Sequence, residues 1–364
     1  MQLQFFPSKT MALYMARMFL VRSFAVLALL VIVLQTLDLL GESGKILAQP
    51  GNGDAELWRY IGLRVPQIID RFLPFSVLLG TIITLVTLNQ NSEVISMKAA
   101  GLSAHQVLAP LLLSSIAVAA ISFAFDERIV TRSNTALSAW QNVDYGPVPR
   151  DSGVKTNVWV REGGQLIRAG TVVGRGTETK LGDVRVFTRL DNVLRSITAA
   201  PRGHYVEGEW QLDDAVRFDV ATGREQRLGS IRIAPEVRPD QFTLSKVDPD
   251  GLSFAELSAA ISDLKDAGRP VASLEANLWH KISGPLSAVL MPLLGAVAAF
   301  GLARSGKLFV RAVLGMALGF IYFVVDNFAL AMGNLGAYPP MMAAWAPFLL
   351  FLLVGETVLI RTEE

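Results

Sequence analysis

Charge-free stretches recur toward both ends of this chain, and a polar, alternating middle separates them. Crossing the ~30 Å hydrocarbon core takes about 20 apolar residues, and in lipid the backbone polar groups of such a stretch are satisfied only within a helix. Phe72–Ser92 lies between Arg71 and Glu93, Ala99–Phe125 between Lys98 and Asp126, and Ile282–Ala303 between Lys281 and Arg304. Each predicts a membrane-spanning helix. The stretch between Asp326 and Glu356 is charge-free too, but AMGNLGAYPP at Ala331–Pro340 reads as a turn. It divides the stretch into one span from about Phe309 to Met332, which contains Asp326, and another from about Met341 to Ile360. The first apolar run, Ser23–Leu37, is shorter. Snorkelling of Arg17 and Arg22 extends it to a helix over about residues 12–40. Its basic start also fits a cleaved leader. It runs on into DLLGES without a small-x-small cleavage site, and other spans follow, which favours a retained helix.

Six spans result, three on each side of the insert, so both termini share one side. That side carries Lys9, Arg17, Arg22, Lys98, Arg304, Lys307, Arg311 and Arg361. The opposite side has Lys45, Arg59, Arg64 and Arg71 in its first loop and no cation in Gly333–Pro340. The positive-inside rule places both termini in the cytoplasm and the insert outside.

The insert, about Asp126–Pro270, has a different period. VWV at Val158–Val160, QLIRAG at Gln165–Gly170, VRVFTRL at Val184–Leu190, EWQLDDAVRFDV at Glu209–Val220 and GSIRIA at Gly229–Ala234 alternate and are punctuated by Gly, Asn and Asp. Short strands with close turns predict a β-sandwich, jelly roll or barrel. Phe254–Ala267 returns to helical spacing, with Leu257, Ile261 and Leu264 on one face, and predicts an amphipathic helix ahead of the fourth span.

Composition agrees with the pattern. Mean hydropathy is +0.41 and 18% of residues are charged, against about 25% in soluble domains. The formal net charge of +1 gives no global field for nucleic acid. With no cysteine, disulfides, thiolate metal sites and a cysteine nucleophile are excluded. His105, His204 and His280 show no metal-ligand spacing.

Four local features carry candidate chemistry. GLARSGK at Gly301–Lys307 has the frame of a nucleotide-binding loop, but Leu308 stands where that loop needs a hydroxyl, and no strand precedes it. A basic cytoplasmic turn is the better reading. NQNSEVISMKAAGLS at Asn89–Ser103 fits a brief helix with Glu93 and Lys98 exposed and Gly101 at its end. It is either a tight hairpin or a handle for a cytosolic partner. Asp326 is a carboxylate inside a span, either functional or bonded to a neighbouring helix near the outer interface. Lys45, Arg59, Arg64, Arg71, Arg128 and Arg132 form an outer rim, which fits either an anionic amphiphile or ordinary interfacial anchoring. No GxSxG elbow is present.

These segments together resemble the LptF/LptG permease family, the membrane subunits of the lipopolysaccharide export ABC transporter. NSEVISMKAAG at Asn91–Gly101 is similar to the family's segment between spans two and three. VDPDGLSFAELSAAISDLKDAG at Val247–Gly268 resembles its link to span four. NLWHKISGPLSAVLMPLLG at Asn277–Gly295 resembles span four and GFIYFVVDN at Gly319–Asn327 span five. The details lie nearer to LptG than to LptF. The resemblance implies a bacterial inner-membrane protein of six transmembrane helices with a periplasmic, jellyroll-like all-β domain between helices three and four. Residues 1–125 would hold the first three helices and a coupling helix at about 91–101. Residues 126–270 would hold the β-domain and the amphipathic helix, and 271–364 the last three spans.

Such a permease is not itself an enzyme. An LptF-type partner, an LptB ATPase dimer that uses ATP and Mg²⁺, LptC and the periplasmic bridge, and lipopolysaccharide are the implied partners. No cofactor or metal is expected on this chain. Glu93, Ser92, Met97 and Lys98 would couple to the ATPase, with Glu93 meeting a basic residue there. The expected lipid-binding set is Gln35, Asp38, Lys45, Arg128, Arg132 and Asp326. Two positions depart from the pattern. Gln35 falls where LptG-type members carry a lysine, and Thr131 falls where the family has a proline after span three. A membrane-anchored envelope enzyme, or a scaffold with a periplasmic β-domain, is the competing reading.

Overall fold

A computed structural model of the chain describes residues 8–147, 154–162, 164–174, 178–190, 193–206, 208–233, 237–239, 242, 248–266, 269–300 and 308–361. The nucleotide-loop look-alike at 301–307 lies outside them. The chain divides into two compact units. The first comprises Met1–Val148, Asp248–Ile261 and Pro270–Glu364; the second comprises Pro149–Val247 and Ser262–Arg269.

The first unit is helical: α1 (Lys9–Ala48), α2 (Asp54–Gln90), α3 (Glu93–Ala99), α4 (Ala104–Phe125), a π-helical turn (Asp126–Val130) and α5 (Thr131–Gln141). After the second unit come a 3₁₀ turn (Pro249–Gly251), α6 (Phe254–Asp266), α7 (Ala272–Phe300), α8 (Leu308–Asn334) and α9 (Pro340–Arg361). Among the described residues five helical stretches are long and apolar enough to cross a membrane: α1, α2, the continuous run Ala104–Gln141, the part of α8 from Val313, and α9. The expected fourth span corresponds to α7, a 29-residue helix.

One boundary moves. The charged triplet Asp126–Arg128 marked the expected start of the β-domain, yet the helix runs on to Gln141 and the second unit begins at Pro149. A charge ends the apolar stretch without ending the helix, because backbone bonding continues until a breaker appears. Thr131 does not break it. Its Oγ1 donates to the Glu127 carbonyl at 3.0 Å within the helix.

The helices pack through small residues. A Cβ on Gly80 of α2 would come within 2.7 Å of the Ser23 Cα of α1. Side-chain burial is therefore replaced by backbone approach at this crossing, as is common between helices in lipid. Around it Phe19, Leu78, Leu85, Leu108, Leu111 and Leu294 form part of one buried apolar cluster.

The second unit holds a six-stranded antiparallel sheet in sequence order: β1 (Val154–Glu162), β2 (Gln165–Val173), β3 (Lys180–Leu190), β4 (Val193–Val206), β5 (Glu209–Asp219) and β6 (Arg224–Ile233). All described neighbours are consecutive, so this part is a meander. The crossover pairing that distinguishes a jelly roll is not among the described strands. Register aligns Val158, Ala169, Val184 and Ala200 across four strands. This row feeds a core closed by Trp210, whose Nε1 donates to the Val237 carbonyl at 2.7 Å and whose ring meets Phe242 edge-on.

Every expected strand is present, and β4 is added. Its sequence hides it, because Pro201 interrupts an otherwise plausible run. The ladder with β5 passes the proline without a change of register, leaving Pro201 unpaired there. Ladder pairing with β5 skips from Ala199–Val216 to Arg202–Asp213, and Asp214 takes a left-handed φ of 53°.

Candidate functional site

Two places in the helical unit gather polar chemistry. The first is α3, a seven-residue helix held between α2 and α4. Ser92 enters it in a left-handed conformation, φ 60°. Gly101, φ 88°, closes it, and the Leu102 amide donates to the Met97 carbonyl behind it. A positive φ at this closing position suits glycine because a side chain there meets the backbone. Val94 and Met97 are buried, while Glu93, Ser92 and Lys98 are not. Glu93 Oε1 accepts from Asn91 Nδ2 at 3.1 Å and from the Tyr14 hydroxyl of α1 at 3.4 Å. Of the four expected coupling residues, Met97 thus anchors the helix while the other three are presented.

The second place is a cavity of about 580 Å³ between α1, α2, the π turn, α7 and α8, within the range of small-ligand sites. Its lining is apolar in part, with Phe72, Phe75, Met291 and Phe323, but five aspartates also reach it: Asp38, Asp70, Asp126, Asp250 and Asp326. Arg64, Arg71, Lys281 and His280 join them. Most of these charges are tied to one another. Arg64 grips Asp38 with two hydrogen bonds of 3.1 Å, and Tyr60 donates to the same carboxylate at 2.6 Å. Lys281 Nζ meets Asp126 Oδ2 at 3.0 Å. His280 Nε2 lies 3.2 Å from Asp326 Oδ2. Asp250 lines the cavity, exposed at its surface but partly enclosed by protein. That enclosure, with Asp248 beside it, holds its pKa above the ordinary carboxylate value, while Lys281 and Arg71 pull it down.

The cavity sorts the expected lipid-binding residues. Asp38 and Asp326 line it. His280 of α7 is a neighbouring-helix partner for Asp326, as the second reading of that residue expects. Arg128 and Arg132 are exposed and do not line it. Lys45 is 67% exposed and paired with Glu42 at 2.9 Å. Gln35 is buried, and neither amide atom has a hydrogen-bond partner among the described residues. Lys281, His280, Asp126, Asp70 and Asp250 went unread as site residues. Lys281 and Asp126 were visible only as the charges that end apolar stretches, and spacing along the chain gives no sign that they meet.

A bundle of long apolar helices around a polar-lined cavity, with a short exposed helix between two of them and a separate β unit, defines a multi-pass membrane protein of the permease class. The chain belongs to the family described as lipopolysaccharide export system permease LptF/LptG, which matches residues 13–361. It is 27% identical over 313 residues to the lipopolysaccharide export system permease protein LptG of Escherichia coli strain K12, covering 83% of this chain and 84% of that protein. It is 25% identical over 325 residues to the LptG protein of Haemophilus influenzae, covering 86% and 89%. Both relatives carry the LptG name, which agrees with the leaning read from the sequence.

Proposed function

We propose that this chain is the LptG-type permease subunit of an ATP-driven exporter that lifts lipopolysaccharide out of the bacterial inner membrane. Family membership over nearly the whole chain is the observation that carries this reading. In it α7 crosses the membrane as the fourth of six spans, since Ile282–Ala303 is charge-free, and both termini are cytoplasmic. An LptF-type subunit pairs with the helical unit. Lipid enters the cavity of α1, α2, α7 and α8 from the outer leaflet. Closure of the cavity, driven by a separate LptB ATPase dimer with ATP and Mg²⁺, passes it to the periplasmic β unit, then to LptC and the bridge. Closure must favour a lipid-free state, so the coupling is a difference in lipid affinity between two conformations. This chain supplies no catalytic group.

α3 is the docking point for the ATPase. Its buried Val94 and Met97 fix it to the bundle, and Glu93 presents a carboxylate to a basic residue of the partner. The test is Glu93→Arg. The variant should lose the ATPase subunit on co-purification while the permease pair stays intact, because a like charge at the seat is repelled. Undiminished ATPase recovery would refute the docking role and favour the scaffold reading.

A further inference from the structure

Lys281 and Asp126 are 10% and 14% exposed, and both side chains face the cavity. Asp126 opens the π turn, a one-residue insertion in the helix of a kind that recurs at functional sites. The turn sends two adjacent carboxylates to different partners. Asp126 takes Lys281 of α7, and Glu127 Oε1 accepts from the Phe254 amide at the start of α6 at 2.7 Å.

Of the cations at this cavity, Arg64, Lys281 and His280 already face carboxylates, while Arg71 is exposed and has no ion pair among the described residues. Arg64 is committed to Asp38 by two hydrogen bonds and to Gln67 by a third of 2.6 Å. Lys281 has one hydrogen bond among the described residues, to Asp126. Of Arg64 and Lys281, the two paired permanent cations, Lys281 is therefore the one that changes partner at lower cost. An ammonium carries three rotatable donors and suits a phosphate as well as a carboxylate. Asp126 holds that ammonium at 3.0 Å, so a phosphate gains Lys281 only by displacing this carboxylate.

We propose that Asp126 is a stand-in anion: it neutralises Lys281 while the cavity is empty, and the phosphate of a phosphorylated amphiphile displaces it and pairs with Lys281 instead. This rests on the lipid-export reading and names the residue that recognises the headgroup. The exchange sets the net affinity as a difference between two ion pairs, which suits a cargo that must leave again. Phosphate recognition accordingly resides at Lys281 rather than at Arg128 and Arg132.

The test uses the full-length chain with its permease partner in nanodiscs. The probes are a bisphosphorylated, hexa-acylated glucosamine disaccharide lipid and its dephosphorylated counterpart. Asp126→Asn removes the competing charge and should bind the phosphorylated probe about fivefold tighter, with the dephosphorylated probe unchanged. Lys281→Met should reduce the phosphorylated probe to the level of the other. An Asp126→Asn variant that binds no tighter, or that tightens on both probes alike, overturns the exchange. Should the single variant fail to fold, Lys281→Met with Asp126→Asn buries no unpaired charge and carries the test. The double variant must treat the two probes equally, and surviving discrimination overturns the proposal. Wild-type protein that binds neither probe overturns the lipid reading and the exchange with it. Wild-type preference for phosphate without tightening in Asp126→Asn leaves that reading intact and refutes the exchange alone.

Discussion

The crossing of α1 and α2 offers a quantitative test of how this bundle holds together. A methyl added at Gly80 would sit 2.7 Å from the Ser23 Cα and 2.8 Å from its amide nitrogen. Ordinary contact begins at 3.4 Å, so α1 must retreat by 3.4 − 2.7 = 0.7 Å or tilt to the same effect. Overpacking of this kind costs about 1–3 kcal/mol. Replacing glycine by alanine within a helix returns about 1 kcal/mol of propensity, so Gly80→Ala should lose about 1 kcal/mol net. Gly80→Val, which adds two further methyl groups at the same point and gains less propensity, should lose more. Thermal unfolding in detergent should rank wild type above Gly80→Ala and Gly80→Val lowest. Ser23→Ala removes the hydroxyl and leaves the backbone atoms where they are. Adding Gly80→Ala to it should therefore still cost about 1 kcal/mol on the same balance. Stability of Gly80→Ala at or above wild type would refute the argument. Full recovery on trimming Ser23 would also refute it, since the contact would then lie with the side chain alone.

Two further outcomes follow from the same kind of reasoning. Trp210→Ala should destabilise the β unit by about 3–5 kcal/mol, through the lost ring contacts and the orphaned Val237 carbonyl, and Trp210→Phe by clearly less; hydrogen exchange across β4 and β5 in the full chain reads the difference. Glu256 accepts from the Ser253 amide and hydroxyl at 2.9 and 2.8 Å, and these bonds hold its pKa below the ordinary 4.5. Because the folded value is depressed, this contribution to the start of α6 is complete above the unfolded pKa and fades as pH falls through the folded one. A carboxyl carbon titration of Glu256 should give a midpoint below 4.5, and a midpoint at or above it would exclude the capping role.

The amphipathic helix shows how far local pattern reaches. Leu257, Ile261 and Leu264 were placed on one face by spacing alone, and all three are buried in α6. The brief helix after α2 and the glycine that closes it were equally legible, because a left-handed φ at Gly101 is a local backbone demand. β4 was hidden because Pro201 argues against a strand unless the ladder skips there, and only the pairing partner decides whether it does.

Apolar length and alternating period by themselves determined that lipid-crossing helices flank a β unit in this protein. Hydrocarbon has no hydrogen-bond partner for the backbone, so a long charge-free stretch has few conformations open to it. Tertiary structure alone decided which charges meet. Asp126 and Lys281 stand 155 positions apart, and His280 and Asp326 46 apart. Such pairs come together through helix packing, whose crossing points depend on close backbone approach at residues such as Gly80. A buried charge stays ionised only where packing delivers its partner, and nothing in the neighbouring sequence records which partner that is.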